Sequence, residues 1–158
     1  MNQQEMLAGR TAVRLMLLLL VFWSLCGCEL RTESGPPLAR KQSWEVFFNR
    51  GDSAAVAALY SQNAELVMSG APPIHGPQAI QTAVAKMVKS GVKVHIEVDR
   101  SAASGDLAYF YGPYTVLLQQ RVVERGTYLE VWHRYGGHWL LDLDVNVTGA
   151  PIAGSAQQ

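Results

Sequence analysis

GTYLEVWHRYGGHWLLDLDVNV, residues 126–147, decides the fold class. Strand side chains alternate, so Tyr128, Glu130 and Trp132 fall to one side of its first half and Leu129, Val131 and His133 to the other. Gly136-Gly137 is a two-residue hairpin signal, because such turns need positive φ. In the second half Trp139, Leu141, Leu143, Val145 and Val147 alternate with Asp142, Asp144 and Asn146, a dry face and a wet one. Strands are predicted over 127–135 and 138–147, with Asp142 and Asp144 in solvent or at a dimer interface if the dry face packs under helices.

Upstream, Val92, Val94, Ile96 and Val98 alternate with Lys93, His95, Glu97 and Asp99, and a further strand is predicted over 106–119. Gly112-Pro113 within it signals a bulge or an edge position, where a missing N–H is tolerated. Before these the period is helical. From residue 41, Trp44, Phe47 and Phe48 share a face, and Gly51 suits a left-handed stop. Asp52 or Ser53 caps a second helix with Val56, Leu59 and Tyr60 on one stripe. Ala64–Met68 is extended and Ser69–Pro73 a loop. Pro77 opens a third helix that carries Ile80, Val84, Met87 and Val88 on one face and closes at Gly91.

Three helices ahead of an antiparallel meander predict an α+β domain, a cone-shaped curved sheet wrapped around the helices. Several segments, in order, resemble the nuclear transport factor 2-like superfamily and its SnoaL-like members: Phe48-Asn49-Arg50-Gly51-Asp52, Leu59-Tyr60 through Asn63-Ala64, Gly70-Ala71-Pro72-Pro73-Ile74-His75-Gly76 with Ala79-Ile80, and Gly126–Trp132. Val131-Trp132-His133-Arg134, with Gly137, Trp139 and Gly149-Ala150-Pro151, also resembles the association domain of calcium/calmodulin-dependent kinase II. The resemblance covers residues 41–151 and implies a homodimer through the convex sheet face. Fold alone does not give function in this superfamily, so the site must.

The resemblance places the tyrosine of the superfamily's steroid isomerases on Trp44 and their base on Met68, and neither residue does that proton chemistry. Their protonated acid, a carboxyl that an apolar site keeps neutral, falls on or next to Glu130. A Glu130 facing the cone between Tyr128 and Trp132 has a raised pKa and is a candidate catalytic acid or base, or an anchor for an amine or hydroxyl. The alternative is an outward Glu130 paired with an exposed Lys or Arg. The kinase-domain resemblance also allows a bulge that turns Asn146 inward. The candidate ligand-binding set is Trp44, Tyr60, Met68, Tyr111, Tyr128, Glu130, Trp132 and Asn146, while Tyr109 and Tyr114 are further candidates for the cone wall. His75, His95, His133 and His138 show neither i, i+2 nor i, i+4 spacing, so no metal and no cofactor are expected.

At the other end of the chain, Arg10 and Arg14 lead into an apolar run from Leu15 that is too short for a bilayer span of roughly 20 residues. Leu25-Cys26-Gly27-Cys28 after it resembles a lipobox. Residues 1–27 then read as a lipoprotein signal peptide, with Cys28 lipidated and held in the bilayer by its acyl chains. Glu29 beside it resembles an outer-membrane sorting pattern, which implies attachment to the cell envelope facing the periplasm. An ordinary cleaved signal would keep export and lose the anchor. Residues 28–40, with Ser34-Gly35-Pro36-Pro37, read as a tether, 41–151 as the domain and 152–158 as a disordered tail. The signal takes Arg10, Arg14 and Glu5 from the 13 basic and 13 acidic side chains. The remainder is nearly neutral without a basic cluster, which argues against nucleic acid. The expected function is binding of a small hydrophobic or amphiphilic molecule. The alternatives are a SnoaL-like cyclase, isomerase or dehydratase using Glu130, and a ligand-free dimeric assembly domain.

Overall fold

Caps and glycines fix the helix ends in the computed structural model, which describes residues 36–149. Helix α1, Leu38–Arg50, closes at Gly51, whose φ of 83° directs its N–H back to the carbonyls of Phe47 and Phe48. It begins ahead of residue 41, so the last residues of the expected tether are helical: Pro37 at the N-cap position has no N–H to lose. The signal peptide, Cys28 and the 152–158 tail lie outside the described residues. Asp52 caps α2, Ser53–Ala57, by accepting from the Ala55 N–H. Tyr60 does not extend that helical stripe as expected. The Leu141 N–H donates to the Leu59 carbonyl, and Tyr60 already belongs to a strand. Helix α3, Pro77–Lys89, follows Gly76 and buries Ile80 and Val84.

The strands are β1 (Tyr60–Met68), β2 (Ile74–His75), β3 (Val92–Ile96), β4 (Arg100–Ser104), β5 (Leu107–Leu118), β6 (Arg121–Tyr135) and β7 (His138–Thr148). They form one curved, unclosed mixed sheet in the order β2-β1-β7-β6-β5-β3, with β4 also on β5. Among the described residues, only the β1–β7 pairing is parallel. The helices cover its concave face, where Phe48, Val56, Ile80, Phe110, Trp132 and Leu141 are buried almost completely. Two elements are additional to the expected set. β2 has only two residues, and the Arg-Ser-Ala-Ala-Ser run of β4 carries no apolar alternation. β6 starts six residues earlier than expected, because Gln119 and Gln120 make the preceding turn at φ 49° and 65° without a glycine signal.

Gly112-Pro113 is not a bulge. Both residues pair in register with Tyr128 and Thr127 of β6. On the other side of β5 they lie where β3 hands over to β4: the Glu97 N–H donates to the Pro113 carbonyl and the Asp99 N–H to the Tyr111 carbonyl. This crossover ends β3 at Ile96, so Val98 is exposed and does not continue the dry face. It also presses on Gly112, where a Cβ would lie 2.2 Å from the Glu97 carbonyl oxygen.

A bulge lies instead in β7. Val131 pairs with Leu143 and Trp132 with Leu141, so Asp142 is an extra residue. One inserted residue exchanges the faces of everything beyond it. Trp139 and Leu141 face inward before it, and Asp144 is buried after it. The expectation that the dry face continues through Leu143, Val145 and Val147, leaving Asp144 in solvent or at an interface, is therefore corrected. Helix α1 also lies along β3. The Asn49 amide donates to the Val94 carbonyl at 2.7 Å and accepts from its N–H at 2.9 Å, and Glu45 accepts from the Ile96 N–H at 3.0 Å.

Gly112→Ala is expected to destabilise the domain by about 3 kcal/mol, because backbone on both sides blocks relaxation of the clash. A denaturant midpoint within error of wild type would refute this account of the crossover.

Candidate functional site

The concave face, α1 and α3 leave an open cavity of about 410 Å³. Its walls are apolar: Val92, Val94 and Ile96 from β3, Val116 from β5, Met87 from α3 and Trp44 with Phe48 from α1. The two α1 rings stack at 5.1 Å, an arrangement that keeps their edges and polar tip in defined directions.

The polar groups gather at the buried end. Glu130 and Asp144 are directly paired residues on β6 and β7, both on the cavity wall, and each is no more than 3 % exposed. The Lys41 ammonium, 2 % exposed, donates to Glu130 Oε1 at 2.8 Å, and Trp132 Nε1–H donates to Oε2 at 2.8 Å. Asp144 accepts from the Tyr60 hydroxyl at 2.6 Å and from the Asn146 amide at 2.7 Å. The Trp44 indole N–H in turn donates to Tyr60 Oη at 2.9 Å. Lys41 Nζ also lies 4.4 Å from the centre of the Tyr128 ring. Every carboxylate oxygen in the cluster thus accepts a hydrogen bond from the protein.

Burial raises the pKa of both acids. Glu130 is pushed up to about 7, mainly by desolvation and further by the Asp144 charge, against the downward pull of Lys41. Asp144 is raised by desolvation, opposed by the Tyr60 hydrogen bond and the Lys41 charge. Tyr60 is raised by burial and by Asp144 beside it. Two carboxyls share one ammonium, so near neutral pH the cluster can retain a proton or leave one negative charge unbalanced. It can therefore accept or return a proton, or receive a hydrogen-bond donor from a ligand, since each carboxylate oxygen has a second lone pair.

Of the sequence-predicted residues, Trp44, Met68, Tyr128, Glu130 and Asn146 line the cavity together. Tyr60 and Trp132 stand behind the lining and hold the carboxylates. Tyr111 is a correction. β5 turns Ala108, Phe110, Gly112 and Tyr114 inward, so Tyr111 belongs to the outer face, where the Arg100 guanidinium lies 5.6 Å over its ring. Tyr114 lines the cavity instead, its hydroxyl donating to Glu124 at 2.6 Å. Burial and that carboxylate push it up to about 12. Tyr109 is exposed on the outer face, and His75 and His95 are exposed at the surface. Glu130 has the inward position expected for it, but its partner is a buried lysine. Lys41 and Asp144 were not in the expected set. Lys41 stands at the i position of the i, i+3, i+7 stripe completed by Trp44 and Phe48, a basic residue on a buried helix face. Asp144 needs the Asp142 bulge, which no local signal marks.

The profile of the SnoaL-like domain matches residues 41–141. No curated protein matches the chain in sequence. Solved structures similar to it include a nuclear transport factor 2-like protein with a cystatin-like fold from Novosphingobium aromaticivorans, at 14 % identity and TM-score 0.64 over 74 % of this chain and 82 % of that one. A putative calcium/calmodulin-dependent protein kinase II association domain from Xanthomonas campestris is similar at 18 % identity and TM-score 0.61, over 73 % and 86 %. A ketosteroid isomerase-like protein from Erwinia carotovora atroseptica is similar at 20 % identity and TM-score 0.62, over 72 % and 93 %. At these identities the likeness is one of fold. The isomerase positions inferred from the sequence hold no proton acceptor here: the Trp44 N–H is spent on Tyr60, and Met68 is a thioether on the wall.

A carboxyl whose folded-state pKa lies above its ordinary value takes up a proton on folding. Glu130's contribution is therefore most favourable in acid and declines as pH rises from its ordinary value of 4.5 through about 7. Lys41→Met removes the opposing cation and strands two buried acids. The expected cost is about 3–5 kcal/mol at neutral pH, and less at pH ~5, where Glu130, pushed up to about 7, already holds a proton. Urea unfolding at the two pH values checks this; an equal loss at both would contradict the charge assignment.

Proposed function

This chain belongs to the SnoaL-like domain family, and we propose that it is an envelope lipoprotein whose cone binds a small hydrophobic or amphiphilic molecule. The observation that carries the reading is the open apolar cavity ending in the buried Lys41–Glu130–Asp144 cluster. Apolar walls with a few converging polar groups are the usual composition of a small-molecule site: the walls supply affinity and the polar end sets orientation. An open interior of this kind is what binding requires and assembly does not.

The lipobox-like Leu25-Cys26-Gly27-Cys28 supports anchorage of the domain to the bilayer by acylated Cys28, with Glu29 favouring an outer-membrane position facing the periplasm. The outer sheet face supports a homodimer. Tyr111, Leu129 and Val145 form one row across β5, β6 and β7, Tyr109, Val131 and Leu143 the next, and Leu129 and Tyr109 remain exposed. A two-fold contact between two such faces would cover them without touching the cavity.

One observation favours a second reading, an acid–base enzyme of the cyclase, isomerase or dehydratase type. Glu130 titrates near neutral pH beside a second acid on the same wall, which suits proton transfer at that pH. Binding is the better-supported function, because both carboxyls are already held by protein donors and the isomerase base position is Met68.

Native mass spectrometry of protein gently extracted from its own membranes is expected to show a reproducible adduct. Val116→Trp, which fills the cavity and leaves the polar cluster intact, is expected to abolish it; an adduct that persists in this variant lies elsewhere. If incubation with the purified protein converts the released compound to an isomer or dehydrated product, and Glu130→Gln stops this, the enzyme reading replaces the binding one. Cys28→Ala is expected to move the protein from the membrane fraction to the soluble one, and retention in the membrane would refute acylation as the anchor.

A further inference from the structure

The cavity's charge and its rings together select a ligand class, and this inference rests on the binding reading above. Among the described residues, every charged side chain that lines the cavity is an acid: the deeply buried Glu130 and Asp144, and the part-exposed Glu124. Lys41 is not part of the lining, is ion-paired with Glu130, and its single charge is shared between the two buried acids. Asp144 is held by the neutral donors of Tyr60 and Asn146, so among the described residues its charge has no cationic hydrogen-bond partner of its own. Glu124 accepts from neutral hydroxyls, those of Tyr114 and Thr148.

Independently of the acids, four aromatic rings line the same space: Trp44, Phe48, Tyr114 and Tyr128. Ring faces attract cations through their quadrupole, and the attraction strengthens where water is excluded. The protein already uses this combination once, since the Lys41 ammonium lies 4.4 Å from the Tyr128 ring centre while bonded to Glu130. A ligand ammonium at the Asp144 end would meet the same chemistry from the cavity side, with free carboxylate lone pairs to accept its N–H groups. A ligand carboxylate or phosphate would meet three acids and, among the described residues, no unshared cation on the lining.

We propose that the cavity takes a hydrophobic organic cation, a protonated amine on an apolar body, with the ammonium at Asp144 and Glu130 and the apolar part along Val92, Val94, Ile96 and Val116.

Three probes that share one apolar body separate this from binding by shape alone: 2-(1-naphthyl)ethylamine, 2-(1-naphthyl)ethanol and 1-naphthylacetate. Each is titrated calorimetrically at neutral pH against the full-length lipidated protein in zwitterionic nanodiscs, with empty nanodiscs as the blank. The amine is expected to bind at least ~tenfold more tightly than the alcohol, the factor one charge-assisted hydrogen bond supplies, and the acid more weakly than the alcohol. Asp144→Asn is expected to weaken the amine more than the alcohol and so to remove most of the amine's advantage, since the ammonium loses both a hydrogen bond and an opposite charge whereas the alcohol loses only a hydrogen bond to an ionised acceptor. Alcohol and amine binding equally, or the acid binding best, overturns the cationic assignment and leaves the apolar binding site standing. Binding of none of the three overturns both.

Discussion

A lysine and a glutamate 89 positions apart, both removed from water, set the geometry on which the rest of the domain depends. Desolvating an ammonium and a carboxylate costs several kcal/mol each, and that cost is offset only while the two groups stay in close contact. Helix α1 is therefore held to one rotation and one height above β6: any slide that separates Lys41 from Glu130 leaves two bare charges in an apolar interior. Trp44 and Phe48 lie on the same stripe, so the pairing also fixes the wall of the cavity and aims the Trp44 indole at Tyr60. Apolar residues in these places would hold the helix at least as well. The charges therefore contribute definition, a unique docking of α1 and a polar floor that greasy packing would not provide.

The second constraint is the two-residue period of a strand. Beyond Leu141, regular alternation without a bulge at Asp142 would present Leu143 and the valines inward and the acids outward. The bulge reverses this within one residue and delivers Asp144 and Asn146 to the floor opposite Glu130. The extra residue itself is turned to the outer side, where the Tyr135 hydroxyl donates to it at 2.8 Å. A local irregularity in the ladder thus converts what would be a fully apolar cone into one with a polar end.

These two devices also explain how much was legible in the sequence. The third helix, the β6–β7 hairpin and the shared side of Tyr128, Glu130 and Trp132 follow from local patterns, because glycines, an N1 proline and strict alternation each act over a few residues, whereas the inward direction of Glu130 rested on the family resemblance. The same patterns carry the α+β class. Asp144 was hidden because a bulge is a property of the pairing between two strands and changes nothing in the composition of either. β4 was hidden for a related reason: its serines and alanines are extended because β5 offers them an edge, not through any preference of their own. Tyr111 and Tyr114 illustrate the same limit, since three tyrosines on one strand look alike until the register says which faces inward. Lys41 was within reach. A basic residue at the buried position of an amphipathic stripe calls for a buried acid, and Glu130 was the acid already placed inside.

Helix α1 does one more thing, through Asn49 and Glu45. By occupying the N–H and carbonyl of Val94 and the N–H of Ile96, these side chains stand where the backbone of a neighbouring strand would otherwise be. An unpaired strand is a template for another chain, and sheets that expose one tend toward open-ended growth. Here one border of the sheet is closed by the helix, β4 beyond it is short and polar, and the opposite border is the two-residue β2. Lateral addition of further sheets is thereby discouraged at both ends. The dimer proposed above through the broad outer face would be a symmetric contact used up by one partner, an assembly that terminates where edge pairing would polymerise.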